Sequence, residues 1–351
     1  MEEYAMNQKT HLLTSARLIL FLFLLFVVLG AQLPAQAQTL LMAPLVPSAW
    51  TKLPGNPVLS TGASGAWDDQ FTFAPSVILD AATYKMWYAG SSAADTTRKI
   101  GYATSPDGIT WTRQGSSPIF TPGPTGAWDA KIGFPTVIKD GSTYKMWYTG
   151  LNASDAGQVG YATSPDGMIW TRYGANPVLS YGTNGSWDAV YVGAPNVVKV
   201  GSLYHMWYRG GVNGGIGYAT SPDGITWTKY AGNPVIAIGS GGWDQTAYHP
   251  RVINDGVGFH MWYSGCNPAG DRCQVGYATS PDGSHWTRKG MVLPQGAFGA
   301  WDGQAADHTA VLLVGSTFKM WYSGYNGSIY QIGYASAVNL DHSIFIPMVM
   351  K

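Results

Sequence analysis

Glutamate is almost absent. The 351-residue chain carries it only at Glu2 and Glu3, so carboxylate chemistry beyond the extreme N-terminus falls to aspartate. Charge of either sign is sparse, 11% of residues, and the formal net charge is zero. Without a basic block, a polyanion finds no electrostatic footprint, which excludes nucleic acid as a partner. Cysteine occurs twice, at Cys266 and Cys273. A metal site would need further ligands at a spacing the sequence does not offer, so a local disulfide across a Gly- and Pro-containing turn is expected. Its short loop puts its stabilisation at the lower end of about 2–4 kcal/mol. Residues 50–340 show no sustained 3.6-residue apolar period, which leaves helices at most a minor role. No nucleotide loop, zinc motif or haem motif is present, so neither cofactor nor metal is implied. What is abundant is Gly (45), Tyr (21) and Trp (15), a composition suited to short strands joined by tight turns.

Residues 1–37 read as an export signal. Lys9, His11 and Arg17 precede the apolar run Leu18 to Gly30, and Ala35-Gln36-Ala37 offers small residues for cleavage. A retained anchor is the rival reading, although a run of about 13 residues is short of the roughly 20 that span a bilayer. Either way the remainder is expected outside the cell, as a monomer. At the other end, residues 341–351 include the apolar run Ile344 to Met350, too short to span. Packing on the body and attachment after export are both open for it.

Internal repetition is the dominant signal. Trp-Asp recurs at Trp67, Trp128, Trp187, Trp243 and Trp301, with successive gaps of 61, 59, 56 and 58 residues. Met-Trp-Tyr recurs at Met86, Met146, Met206, Met261 and Met320, and Gly-Tyr-Ala at Gly101, Gly160, Gly217, Gly276 and Gly333. In the first four copies the latter continues as Thr-Ser-Pro-Asp-Gly and then Trp-Thr-Arg or Trp-Thr-Lys. Each copy divides into four extended segments, which in the third are Ala194 to Val200, Leu203 to Arg209, Gly215 to Thr220 and Trp227 to Ile236. The separators are turn sequences in which Pro presets φ and Gly supplies a positive one. Four strands per unit, repeated radially, is the plan of a propeller blade. Trp-Thr-Lys at Trp50 precedes the first unit, whereas the fifth stops after Gly333-Tyr334-Ala335. The expected fold is therefore all-β: a five-bladed β-propeller of four-stranded antiparallel blades over residues 38–340, its ring closed by the N-terminal strand joining the last blade.

The succession Asn-Pro-Val-Leu, Trp-Asp, Pro-x-Val-Ile, Tyr-Lys-Met-Trp-Tyr-x-Gly and Gly-Tyr-Ala-Thr-Ser-Pro-Asp-Gly-Ile-Thr-Trp resembles the repeat of five-bladed glycoside hydrolase propellers. That group includes families 43, 32, 68 and 130. The resemblance covers about residues 48–340 and implies an oligo- or polysaccharide ligand at the mouth of a central channel, lined by the innermost strand of each blade. Families 43 and 32 would imply an Asp in the first blade and a Glu general acid. Here the first-blade position is Ala74 and no Glu follows Glu3, so that set does not carry over. Family 130 implies an Asp acid and, in its phosphorylases, basic residues that hold phosphate. Ser105-Pro-Asp-Gly-Ile-Thr-Trp111 is also similar to the sialidase Asp-box, but one residue shorter, and reads as turn chemistry.

Function should lie where the copies differ, since a residue needed once has no reason to recur by rotation. The Asp residues of the Trp-Asp and Pro-Asp-Gly motifs are therefore structural. Alignment on Pro75, Pro135, Pro195, Pro250 and Thr309 exposes Phe134, Tyr248, His249, Arg251, Asp307 and His308 as singletons on the first strand. Asp69 and Arg209 are singletons elsewhere, whereas His205 and His260 occupy a Lys position and read as ordinary surface. The expected catalytic residues are Asp307 as principal acid/base and Asp69 as second carboxylate. Tyr248, His249, Arg251, His308, Arg209 and Phe134 would bind substrate. A non-catalytic propeller that binds carbohydrate, or one that binds protein, is the alternative.

Overall fold

The structure, a computed structural model, describes residues 47–211, 214–239, 242–269 and 272–340. The expected export signal (1–37) and apolar tail (341–351) lie outside these described residues. Within them every regular element is a β-strand, and no helix is long and apolar enough to cross a membrane.

After the short β1 (Thr51–Lys52), successive strands pair as antiparallel meanders. β2 (Phe71–Asp80), β3 (Thr83–Ser91), β4 (Lys99–Ser105) and β5 (Thr112–Arg113) form one sheet. β6 (Lys131–Asp140), β7 (Thr143–Leu151), β8 (Gly157–Ser164) and β9 (Thr171–Arg172) form the next. β10 (Val192–Val200), β11 (Leu203–Gly210), β12 (Ile216–Ser221) and β13 (Thr228–Lys229) follow. Then come β14 (Thr246–Asn254), β15 (Phe259–Cys266), β16 (Cys273–Ser280) and β17 (Thr287–Leu293). β18 (Ala305–Val314), β19 (Thr317–Tyr325) and β20 (Tyr330–Val338) lack a fourth strand of their own. β1 supplies it, with Thr51 opposite Ser336 and Lys52 opposite Ala335.

The fourth strand of the third repeat is shorter than its sequence suggests: the ladder covers Thr228–Lys229 instead of Trp227 to Ile236. Beyond it an Asn side chain takes over the strand's hydrogen bonds. Asn233 Oδ1 accepts the Tyr218 N–H at 2.8 Å and its amide donates to Tyr218 O at 2.9 Å, after which Ile236 rejoins β12 opposite Ile216. Asn176 and Asn56 do the same for Tyr161 and Tyr334, which gives the recurring Asn-Pro its physical reason.

The core lies between sheets. Trp87, Trp147, Trp207, Trp262 and Trp321 are all 0% exposed, and each reaches into the apolar cluster of the next sheet. Trp87 packs with Val137 and Met146, Trp147 with Val197 and Met206, and Trp207 with Val252 and Met261. Trp262 packs with Val311 and Met320, and Trp321 with Val77 and Met86 of the first sheet. Truncating any of them to Ala should cost about 3–5 kcal/mol. The Gly of Gly-Tyr-Ala makes room for this packing: a Cβ on Gly101 would stand 2.4 Å from the Tyr88 ring and 2.8 Å from Trp67.

Four of these indoles are also tied by hydrogen bonds. Trp87 Nε1 donates to Gly167 O, Trp147 to Gly224 O, Trp207 to Gly283 O and Trp321 to Gly108 O, all at 2.7–2.8 Å. The acceptors are the glycines of the Ser-Pro-Asp-Gly turns. In the first turn Asp107 Oδ1 accepts the N–H groups of Ile109 and Thr110, holding its carboxyl down at about 2. The last sheet has no such turn, and Trp262 Nε1 has no partner among the described residues; Trp50 packs edge-on against it instead, 6.0 Å between ring centroids.

The Trp-Asp carboxylates are equally structural. Asp68 accepts from Tyr88 and Arg113, Asp129 from Tyr148 and Arg172, and Asp188 from Lys229. Asp244 accepts from Tyr263 beside Arg288, and Asp302 accepts from Tyr322 and, at 2.7 Å, from Lys52 of β1. One expectation is corrected: His260 is not surface but 3% exposed, held between Tyr277 and Asp255.

Candidate functional site

In each first strand the residue before the proline position departs from extended geometry. Ala74, Phe134, Ala194, His249 and His308 have φ of 50°, 52°, 46°, 48° and 43°. The register to the second strand slips at these same places, as between Phe73 and Ser76 or between Asp307 and Ala310. These are bulges, and the Pro that follows in four of them has no N–H for the interrupted ladder to lose. A non-glycine residue at such a φ costs about 1 kcal/mol or more.

Hydroxyls of the adjacent sheet secure three of the bulges. The amide of Ala74 donates to Ser323 Oγ at 2.9 Å, that of Ala194 to Thr149 Oγ1 at 2.7 Å, and that of His308 to Ser264 Oγ at 3.1 Å. The equivalent partners of Phe134 and His249 would be Ala89 and Arg209, neither of which can accept. The sequence thus gives up the latch at two positions it also makes chemically distinct.

The bulges converge on a cavity of about 30 Å³, lined by Ala74, Phe134, Ala194, His249 and His308 with the residues that follow all but Ala194. Arg251 lies across it. Its guanidinium donates to Thr309 O at 3.1 Å, to Pro75 O at 3.2 Å and to Thr136 Oγ1 at 3.4 Å, joining the first strands of three other sheets. Burial pulls its pKa down to about 10, so it remains charged at neutral pH. Arg251 is thus a central tie as much as a surface available to ligand.

Phe134 stacks on both histidines, with centroids 5.1 Å from His249 and 5.4 Å from His308, and the two imidazoles are 3.9 Å apart. Asp307, 3% exposed, is bonded to His308 Nδ1 and lies behind that ring, outside the cavity lining. With Nδ1–H donating to the carboxylate, the lone pair of His308 is on Nε2. Burial, then the neighbouring His308, Arg209 and Arg98, hold the His249 pKa well below the ordinary histidine value. Its Nε2 is buried with no hydrogen-bond partner among the described residues, and Nδ1 lies 3.4 Å from Ser264 Oγ.

Aromatic rings surround this cluster. Tyr330 lies 5.4 Å from Phe73 and 6.0 Å from His308; burial, with Asp307 adding to it, raises its phenol pKa and keeps it protonated. The Arg209 guanidinium is 4.2 Å from the Tyr248 ring and 4.7 Å from Tyr191. Arg98, just before β4, lies 5.4 Å from Phe73 and 5.7 Å from Phe134. Arg98 and Tyr330 hold equivalent places, three residues before the Gly of Gly-Tyr-Ala, where the second and third repeats have Gly157 and Gly214. Those glycines yield to tyrosines, for a Cβ would meet Tyr191 at 2.5 Å and Tyr248 at 2.4 Å.

The structure therefore brings together Phe134, Tyr248, His249, Arg251, Asp307, His308 and Arg209. Asp69 stands apart: its oxygens accept the N–H groups of Gly65 and Ala93 in exposed loops, and it touches none of the cluster. Cys266 and Cys273 form a disulfide linking the end of β15 to the start of β16, and they pack with Tyr248. Arg98, Tyr191 and Tyr330 carry no signal in an alignment of first and second strands, because they enter from connecting segments and a third strand.

The fold is that of known β-propeller glycoside hydrolases. A family 130 glycoside hydrolase, from work describing members that target β-1,2 mannosidic linkages in Candida mannan, superposes with a TM-score of 0.66 at 19% identity, over 84% of this chain and 95% of the other. A glycosyl hydrolase from Bacteroides ovatus gives 0.66 at 19% identity over 86% and 95%, and a family 117 glycoside hydrolase from Zobellia galactanivorans gives 0.63 at 15% over 84% and 91%. By sequence, the chain is 29% identical over 228 residues to the uncharacterized protein Rv1502 of Mycobacterium tuberculosis, covering 61% of this chain and 73% of the relative. No protein-family model matches the chain.

Proposed function

We propose that the chain is an exported carbohydrate-active protein that takes an oligo- or polysaccharide on the face where the bulged first strands meet. In this reading residues 38–340 form a five-bladed propeller closed by β1, residues 1–37 direct export, and the protein acts as a monomer. Support for closure comes from the Lys52–Asp302 pair and from the packing of Trp321 on the first sheet. The observation that carries the functional reading is convergence: the aromatic, His and Asp singletons of separate repeats gather at one place in a glycoside hydrolase fold. Stacked rings suit the apolar faces of sugars, and a few fixed polar groups orient them.

Asp307 and His308 are the proton-handling pair. Asp307 holds Nδ1–H and stabilises the imidazolium that forms, so the proton moves at His308 Nε2. Asp69 serves in this scheme to shape a loop. A binding-only propeller is the second reading, and it is favoured by a specific feature: among the described residues Asp307 is the one carboxylate in contact with the cluster, whereas glycoside hydrolysis ordinarily uses two.

Product analysis of residues 38–351 against a panel of oligosaccharides, with and without phosphate, separates these readings. Products that vanish in Asp307→Asn establish an enzyme, and phosphate dependence makes it a phosphorylase. Turnover that survives Asp307→Asn removes the pair from the mechanism. Saturable binding without products leaves the binding module.

A further inference from the structure

Nine of the described cations face a repeated partner. Arg113, Arg172, Lys229, Arg288 and Lys52 each face the Asp of a Trp-Asp motif, and Lys85, Lys139, Lys145 and Lys199 face Asp80 or Asp140. Arg98 breaks the pattern. Its guanidinium rests near the rings of Phe73 and Phe134 and makes no hydrogen bond or ion pair with any described residue. Five N–H donors in a planar fork are thus held beside an aromatic platform with no acceptor supplied. Arg98 and Arg209 both bear electrostatically on His249. The carboxylate in contact with the cluster, Asp307, is already committed to His308.

We propose that this mouth selects an acidic saccharide, a sugar whose ring carries a carboxylate, and that Arg98 is the residue that pairs with it. This rests on the saccharide site proposed above and narrows its ligand. A neutral sugar stacked on Phe134 and Tyr330 would leave the Arg98 fork unmatched, whereas a ring-borne carboxylate meets it bidentately. The aromatic floor beneath the cation is what favours an anion attached to a sugar over free phosphate. A small anion gains nothing from rings, while a hexuronate uses both.

The test is calorimetric titration of residues 38–351 with galacturonate, glucuronate and mannuronate trimers, their methyl esters, and inorganic phosphate. The acid form of at least one trimer should bind about tenfold more tightly than its ester and weaken as salt rises. Arg98→Gln should abolish the difference between acid and ester, and near-ultraviolet circular dichroism should show the variant folded, since no hydrogen bond or ion pair to a described residue is lost. Arg98→Lys should restore part of the difference. Equal affinity for acid and ester, or an acid preference that survives Arg98→Gln, overturns the inference and leaves the saccharide site standing. Phosphate binding that requires Arg98, without any preference among trimers, overturns it in favour of a free anion. Failure of every trimer and ester, with neutral oligosaccharides also silent, overturns the saccharide site itself.

Discussion

A histidine kept neutral inside a cationic cluster couples the site to the stability of the chain. His249 sits well below the ordinary histidine pKa because burial, His308 and two guanidiniums all oppose its charge. In the unfolded chain it titrates near pH 6.5. The unfolded state therefore binds a proton that the folded state refuses, and folding weakens as pH falls. The stability associated with neutral His249 is fully present above about pH 6.5 and is lost progressively as pH drops toward the folded value. Denaturant midpoints measured from pH 7.5 down to 5 should fall more steeply in the native protein than in His249→Phe, which keeps a ring against Phe134. Parallel slopes would mean that the imidazole is solvated after all. His205, also lowered by burial, contributes to both curves and cancels in the comparison.

At the scale of elements, β1 is the piece whose loss should be felt first. It brings Lys52 to Asp302, a carboxylate 4% exposed that also holds Tyr322. Lys52→Met leaves that carboxylate buried without its cation, and a loss of up to about 3 kcal/mol is expected in chemical denaturation. Lys52→Arg should recover most of it, because Arg113, Arg172 and Arg288 fill the equivalent place elsewhere. A loss below about 0.5 kcal/mol would place the pair with solvent-screened surface bridges instead. The need for β1 was legible in the sequence: Trp-Thr-Lys stands ahead of the first unit and is missing from the last. Strand order and the structural role of the Trp-Asp carboxylates were legible for the same reason, since a motif repeated by rotation reports its own environment several times over. The left-handed bulges were not, because Ala, Phe and His at those positions carry no backbone signature. Nor was the reach of Arg251, whose three acceptors are a hydroxyl and two carbonyls contributed by three different first strands. Long side chains that cross between repeats fall outside any comparison of one repeat with the next.

For the whole molecule, the place where the described residues begin and end bears on how the proposed ring could be opened. Pro47 and Asn339 are bridge partners, and the Ser48 N–H donates to Val338 O at 2.8 Å. A short Gly/Ser linker from Leu340 to Pro47 would therefore span little distance. New ends between Gly174 and Ala175, both exposed and beyond β9, would interrupt none of the ladders described. Such a circular permutant should fold with the near-ultraviolet circular dichroism of the parent, because every sheet keeps its four strands. An insoluble or molten product would indicate that β1 must join last, in trans along the chain, for the sheets to find their partners.

The same seam has a mechanical meaning. β1 runs antiparallel to β20, and its beginning lies against the end of β20. A load applied across these two points does not slide one strand along the other, which would tax all rungs together. It peels the ladder from its outer end, rung by rung, as a zipper opens from its tab. Every other sheet holds its four strands within one continuous stretch of chain, so tension should part the protein here first and hand the exposed edge of β20 to whatever strand comes near.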